Sequence, residues 1–321
     1  AIAAGADYMF TGAEHAALQG TGLPPRQPDA NYTNTDYTFT DETDLLDTWR
    51  TFLAARHKFQ NAYDLGQIVD TRERRRIIGD FVISPLDIVN GRTYPDSVVL
   101  SKSNFDSHGY TVHPFFLLKP PDRVGLAAYT PYRALLPRGL DGIIVTGLGI
   151  SAHRDAMPIL RMQPCIQNQG YGMGVAASMA AKNNVSTRDI DIKALQRHLV
   201  EKGSLPENVL TDKDTFPVPR ERIAEAVVKA ASDYQGIKLL LAQPEDALPL
   251  LRQAYKAVGT DETQGYDRPE PPSPLPEVTE EDAVSPEEAK LVYAHILGMM
   301  GDPTGSDTLI EAVETAKWDD G

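Results

Sequence analysis

The sequence predicts an α/β or α+β protein followed by a mainly α-helical C-terminal region. Between residues 77 and 146, short β-branched apolar runs alternate with turn residues, which is typical of strands. A helical stretch rich in Gly and Ala follows from 170 to 181. Beyond residue 219, amphipathic patterns near helical spacing recur, three of them with Pro at or near the first turn.

The bulk composition limits the class of protein. The chain has 321 residues, 41% of them apolar and 24% charged, which suits a soluble globular protein with room for two domains. No apolar run approaches the roughly 20 residues that cross a bilayer, so we expect no membrane association. Cys165 is the single cysteine, which excludes an internal disulfide and a multi-cysteine metal site.

The charge is uneven along the chain. From Pro206 onward there are 24 acidic and 10 basic side chains, whereas the first 205 residues carry 21 of each. This asymmetry indicates two regions with different surroundings. It argues against a nucleic-acid partner, because duplex binding requires cationic surface, and it leaves a protein partner for the acidic helical tail open.

The two ends suggest a piece of a longer polypeptide. The chain starts at Ala1 without a Met or a signal peptide and stops at Gly321 directly after a helical pattern. We therefore expect a fragment, and we leave its localisation open, cytoplasmic or exported.

The first 140 residues are expected to form a substrate-covering mixed α/β region. Residues 1–45 favour an irregular excursion, 42–65 a helix or helix pair, and 72–76 either a solvated basic turn or a clamp for an anion. Ser84 should cap a short helix over 85–88. Strands are predicted over Ile77–Ile83, Val98–Leu100, Thr111–Leu118 and Arg123–Tyr129, mostly antiparallel.

A strand, a glycine loop and a helix are predicted from 141 to 205. The apolar run Gly142–Thr146 should be a buried strand, and Gly147 and Gly149 allow a sharp exit and a close approach by another group. The helix that we expect from Gly170 would leave its N-terminal amides open to an electron-rich ligand. Tight packing on a sheet is the alternative explanation for its small residues.

The C-terminal region, 206–321, is predicted to be helical. After a helix over 192–202 and a linker over 205–219, helices should cover 219–232, 244–258, 286–300 and 306–317. The proline-rich stretch near 268–285 cannot pack a core and is expected to be an extended linker. Paired short helices suggest a stacked helical array.

Three stretches of the sequence resemble a known protein family. They are Arg76–Ile83, Pro131–Pro137 and Asp141–Asn183. Together they resemble the C-terminal half of bacterial FAD-dependent oxidoreductases of the glutathione-reductase-like superfamily, of the type labelled xanthan lyase related. The resemblance covers roughly residues 70–205. The tail, with residues 294–302 and 318–321, is similar to HEAT-like repeats attached to some members.

The residues match the family pattern closely but not fully. The strand-ending glycine, the Ser-Ala step, the Arg-Met pair and the small-residue helix are matched by Gly147, Ser151, Ala152, Arg161, Met162, Gly170, Gly172, Gly174, Ala176 and Ala177. Tyr171 stands where Gln is common, and His153-Arg154 where Thr-His is usual. No Gly-x-Gly-x-x-Gly follows a strand, so the resemblance implies only a partial FAD-binding Rossmann-like element without the pyrophosphate site.

The resemblance implies FAD as cofactor and hydride transfer to the flavin from a small-molecule or saccharide substrate. The implied cofactor-binding residues are Gly147, Gly149, Ser151, Ala152, Arg161, Met162, Gly170, Tyr171 and Gly172. His153 or His108 would take the proton as base, and Asn104, Asp106, His108 and Tyr132 would face the substrate. We expect no metal site, because His108 and His113 fall on opposite faces of a strand.

Two other functions fit the sequence. One is a non-catalytic helical scaffold whose acidic array binds a partner. The other is a carbohydrate-active lyase or hydrolase that uses Asp106, His108, Tyr132 and Arg133.

Overall fold

The computed structural model describes residues 76–105, 111, 113–119, 125–232, 234–258 and 284–315, together with Leu45, Leu46, Trp49 and Leu53. These four residues are helical and exposed, and the rest of the helix predicted over 42–65 lies outside the described residues. Asp106, His108 and the linker predicted near 268–285, except for 284 and 285, lie outside them as well. The chain divides into two compact units, Ala1–Asp214 and Thr215–Gly321.

The first unit combines short helices with a small sheet. In chain order its elements are α1 (Pro85–Val89), β1 (Ser97–Ser103), α2 (Pro114–Leu118), β2 (Leu126–Pro131), α3 (Met157–Leu160), α4 (Gln163–Asn183) and α5 (Ile192–Glu201). Short 3-10 turns cover Tyr132–Leu135, Gly147–Gly149, Arg154–Ala156 and Glu207–Leu210. Among the described residues the fold is therefore α+β.

The two strands pair in antiparallel fashion, from Val99 opposite Thr130 to Ser103 opposite Leu126. Helix α4 packs on β1 and α5, and Gly172 faces both, since an added Cβ would lie 3.9 Å from the Val98 carbonyl oxygen on β1. A Cβ at Gly172 would lie 3.5 Å from Cδ1 of Leu199, on α5. The predicted strands over 98–100 and 123–129 correspond to β1 and, from Leu126 onward, to β2.

Helix caps explain two elements that the sequence predicted. Ser84 accepts a hydrogen bond from the Leu86 amide, and Asp87 reaches back to the Ser84 amide in a capping box. Asp191 caps α5 through the Ala194 amide at 2.9 Å. The predictions of α1 and α5 are confirmed.

The predictions of strands over Ile77–Ile83 and Gly142–Thr146 are wrong. The first segment makes only two isolated bridges, Gly79 with Pro137 and Ile83 with Ala152, because it crosses loops instead of lying beside a strand. In the second, Gly142 has a φ of +72° and Ile143 is 45% exposed. A turn conformation and an exposed apolar side chain do not suit a buried strand.

The strand predicted over Thr111–Leu118 is wrong for its second half, which forms α2. Pro114 occupies the first position of this helix, where its missing N–H costs nothing. The His113 side chain caps the helix by accepting from the Phe115 amide at 3.2 Å. The cap and the proline override the apolar, strand-like run Phe115–Leu118.

The helix predicted from Gly170 starts earlier, at Gln163. It starts there because Pro164 suits the first turn, and it ends at Asn184, a left-handed residue with a φ of +52°. Gly170, Tyr171 and Gly172 therefore lie two turns inside the helix. Their amides are used by backbone hydrogen bonds of α4 and cannot face a ligand, which corrects the prediction of open amides at these residues.

The second unit is helical in its described residues. It contains α6 (Arg220–Ala230), α7 (Ile237–Ala242), α8 (Pro244–Ala257), α9 (Pro286–Met299) and α10 (Ser306–Thr315), and a 3-10 turn over Pro303–Gly305. The four predicted helices are confirmed, whereas α7 was not predicted. Tyr293 on α9 donates to the Val227 carbonyl of α6 at 3.2 Å, and Arg252 on α8 pairs with Asp302.

In the described ranges, no helix combines the length and the apolar composition that crossing a bilayer requires.

Candidate active site

The glycine loop Gly147–Gly149 lies against the first two turns of α4. Gly147 has a φ of +71°, which only glycine adopts without strain, and its amide donates to the Gln169 side chain. A Cβ on Gly147 would lie 3.8 Å from Cγ2 of Ile166. The three loop residues are half-buried.

Ser151 and Ala152 lie beneath this loop and hold it in place. The Ser151 hydroxyl accepts a hydrogen bond from the Gly79 amide at 2.9 Å, and its carbonyl accepts from the Ile83 amide at 3.0 Å. Ala152 bridges Ile83. Ser151 is completely buried, so in this arrangement it positions the loop and does not contact a ligand.

Two buried guanidinium groups belong to the segment between the loop and α4. Arg154 and Arg161 are each only 6% exposed. Arg161 ends α3, and Met162 next to it is the N-cap residue of α4. A buried Arg and the positive end of a 21-residue helix both favour a negative charge nearby.

Two imidazoles and a carboxylate form a connected cluster beside the loop. The His113 amide donates to Oδ2 of Asp155 at 2.6 Å, and the Asp155 amide donates to Nδ1 of His153 at 3.1 Å. The rings of His113 and His153 meet edge to face, with centroids 5.6 Å apart. Asp155 is fully buried and therefore fixes the two turns relative to each other.

Burial is the main cause that lowers the pKa of both imidazoles. For His113, the neighbouring His153 lowers the pKa further, and Asp155 opposes this. For His153, Asp155 raises the pKa, whereas Arg76 and Arg154 lower it. Both rings are therefore neutral at neutral pH. This does not suit His153 as a base, because its Nδ1 is occupied by a backbone N–H and its other nitrogen must carry the proton.

Sequence reasoning missed Asp155, Gln169 and the role of His113. A helix-cap signal could have found the imidazoles, since each precedes a short turn and accepts from the amide two residues further on. Gln169 gave no such signal, because its partner Gly147 is 22 residues away.

Tyr132 and Arg133 are engaged elsewhere in the fold. The Tyr132 hydroxyl donates to the Thr187 carbonyl at 2.7 Å, and burial raises the pKa of Tyr132 to about 12. Arg133 pairs with Asp214 at 3.2 Å and stacks over Phe81. These bonds give both residues a structural role, which weakens the lyase or hydrolase hypothesis.

The remaining predicted residues do not join the loop. Gly170 and Tyr171 line an open groove of about 580 Å³ on the exposed face of α4, where the Tyr171 hydroxyl lies 2.8 Å from Nε2 of His198. Gly172 is buried against Leu199, and Asn104 is exposed. Among the described residues, no group of three or more His, Cys, Asp or Glu side chains could hold a metal ion.

Comparison with known proteins gives one match. Residues 17–199 match the family model of FAD-dependent oxidoreductases, which is more than half of the chain. No curated protein and no solved structure is significantly similar to the chain. The matched range contains the glycine loop, both imidazoles and most of α5. The chain therefore belongs to the FAD-dependent oxidoreductase family.

Proposed function

We propose that this chain forms the flavin end of the active site of an FAD-dependent oxidoreductase that removes hydride from a small organic substrate, saccharides included. The observation that supports this most is the half-buried glycine loop Gly147–Gly149, packed on the first two turns of α4. Such a loop admits a flat ring system to van der Waals distance of the main chain.

The electrostatics of the segment fit a flavin. When bound, a flavin supplies the electron-accepting ring, and its reduced form carries negative charge. Arg161, with the N-terminal end of α4 directly after it, supplies fixed positive charge for that form. Because Arg161 is only 6% exposed, solvent screens its charge little.

The cofactor-binding residues divide into two groups in this proposal. Gly147, Gly149, Arg161 and Met162 surround the flavin end. Ser151 and Ala152 hold the loop from below. Gly170, Tyr171 and Gly172 are left out, because their amides lie inside α4.

The pyrophosphate end of the cofactor requires residues outside this sequence. A Gly-x-Gly-x-x-Gly turn after a strand normally holds the pyrophosphate, and the 321 residues contain none. We therefore propose that the chain is part of a longer polypeptide that supplies the ADP-binding half, and that its helical tail is a HEAT-like array.

The test is the visible spectrum of the protein purified from its complete coding sequence. We expect the absorption bands of a bound oxidised flavin. Gly147→Val should release the flavin, because the new side chain would press on Ile166 at the start of α4 and move the loop. Gly139→Val is the matched control, since Gly139 has a similar φ of +75° but lies in an open, exposed turn.

Two results would overturn the proposal. One is a protein from the complete gene without flavin. The other is a Gly147→Val variant that retains as much flavin as Gly139→Val.

A further inference from the structure

The imidazoles of His113 and His153 each use one ring nitrogen for a helix cap and keep the second for another role. Each Nδ1 accepts a backbone N–H, from Phe115 at 3.2 Å and from Asp155 at 3.1 Å. A nitrogen that accepts a hydrogen bond carries no proton, so the proton of each neutral ring sits on Nε2. In the part of the chain that the structure describes, neither Nε2 has a hydrogen-bond partner, and both rings are half-buried.

The two N–H donors are held together rigidly. The ring planes meet at 86° with centroids 5.6 Å apart, so both donors belong to one small area. The Asp155 carboxylate links the two turns by accepting from the His113 amide at 2.6 Å. Donors fixed in this way bind a ligand without first losing rotamer freedom.

Three charged groups act on the His153 ring. Arg154 follows His153 directly and is buried, and the charges of Arg76 and Arg154 both act on the His153 ring. The negative charge of Asp155 is fully buried, lies with Oδ1 3.8 Å from Nε of Arg154, and acts on the His153 ring more strongly than either guanidinium. The choice of ligand therefore rests on the two neutral N–H donors and their fixed geometry.

We propose that the Nε2–H groups of His113 and His153 bind a carboxylate of the substrate, which makes the substrate a small carboxylic acid, sugar acids included. This inference rests on the proposed function, because the bound acid is a substrate only if the protein is an oxidoreductase. Two N–H donors match the two oxygens of a carboxylate, and charge-assisted hydrogen bonds of this kind are the stronger ones. In this role the imidazoles are donors that orient the substrate, and the proton acceptor is another group.

The experiment is an NMR titration of the full chain with acetate as the probe and neutral acetamide as the comparison. We expect saturable shifts of the His113 and His153 ring signals with acetate and none with acetamide. Equal shifts with acetamide, or no saturable shift with acetate, would overturn the proposal.

The variants His113→Asn and His153→Asn separate binding from helix capping. Asn is a good N-cap residue, so each variant keeps the capping bond and loses the Nε2–H donor. We expect acetate affinity to fall at least tenfold at an unchanged melting temperature, whereas His198→Asn should bind as the wild type does. Unchanged acetate affinity in both cap-preserving variants would show that the imidazoles only cap helices.

A second measurement remains valid even if a variant fails to fold. Nitrogen-15 spectra of the wild-type protein report which ring nitrogen carries the proton. We expect protonated Nε2 on both rings, and a proton on Nδ1 of either ring would contradict the inference. Flavin content and acetate binding are also recorded on the protein purified from the complete coding sequence. Acetate binding without flavin would refute only the proposed function, and flavin without acetate binding would refute only this inference.

Discussion

His113 and His153 each cap a short helical turn, and in our proposal each also binds the substrate carboxylate. Each imidazole caps the N-terminus of a short helical turn through Nδ1, and its Nε2 is not part of the cap. The sequence identified His153 as a functional candidate but not its tautomer, because the partner amide is fixed only once the turn is folded. His113 was assigned to a strand, so its link to Asp155 could not be foreseen.

We expect the stability of the protein to depend on pH because of the lowered pKa values of His113 and His153. Burial lowers the pKa of both imidazoles in the folded protein below the ordinary value of 6.5, with Arg76, Arg154, Asp155 and the partner ring as the charged or titratable neighbours. The unfolded chain therefore binds more protons below that pH, and stability falls as the pH drops through and below 6.5. Above that range these two groups contribute no pH dependence.

Urea unfolding between pH 5 and pH 8, about the range in which histidine titrates, measures this effect. The double variant His113→Asn, His153→Asn should show a flatter profile. His198→Asn, at a half-buried position of α5 next to Tyr171, is the matched control variant. A double variant with an unchanged slope would show that other groups cause the pH dependence.

At the scale of elements, the residue at which α4 begins determines which part of the helix can lie at the site. The sequence correctly predicted a helix with small residues but placed its start seven residues too late, because the glycines were taken as the helix opening. Pro164 was the better start signal. The consequence is functional, since the helix end near the loop is Gln163 and not Gly170.

Gly170→Ala should stabilise the protein. Gly170 lies inside α4 on its exposed face, and a Cβ there would meet no atom within 4 Å. Alanine loses less backbone entropy than glycine in a helix, so we expect about 0.5 to 1 kcal/mol of added stability and unchanged flavin content. Chemical denaturation and the flavin spectrum measure the two quantities.

The same substitution at Gly305 is the contrasting control. Its Cβ would lie 2.5 Å from Cα of Ala294, a backbone atom of α9. Gly305→Ala should therefore cost about 1 to 3 kcal/mol through overpacking. Destabilisation or flavin loss in Gly170→Ala would indicate that the exposed face of α4 contacts something else in the working protein.

In the second unit, an ion pair joins two elements. Asp302 is buried, accepts from Nε of Arg252 on α8 at 2.7 Å, and also accepts from the Thr304 amide at 2.9 Å. The hydrogen bonds from Arg252, followed by those from Thr304, lower the pKa of Asp302 from 3.8 to about 2. Its contribution is therefore fully present above pH 3.8 and is lost as the pH falls towards 2.

Asp302→Asn should lower the stability of this unit at neutral pH by about 1 to 2 kcal/mol, because Arg252 loses its charged partner while remaining half exposed. The difference from the wild type should shrink as the pH falls towards 2, where about half of the wild-type carboxylate is protonated. Thermal unfolding at several pH values tests this. Asp307→Asn, at an exposed position on α10, should have almost no effect.

At the scale of the whole molecule, the helical second unit was predicted better than the first. Its helices start at prolines or capping residues and are amphipathic, so local signals suffice. In the first unit, long-range contacts decide the structure. Ile77–Ile83 looks like a strand, but its partners are the loops at Pro137 and Ala152, and sequence pattern alone cannot identify such partners. The α+β class was predictable, whereas the strand count and the strand before the glycine loop were not.

Amide hydrogen exchange of the protein from the complete coding sequence, with and without FAD, tests the central claim that the loop Gly147–Gly149 and the start of α4 form the flavin end of the site. We expect FAD to slow exchange at residues 147–149 and 161–166, and to leave the exposed face of α4 from Gly170 to Lys182 unchanged. Protection confined to that exposed face, with none at the loop, would contradict it.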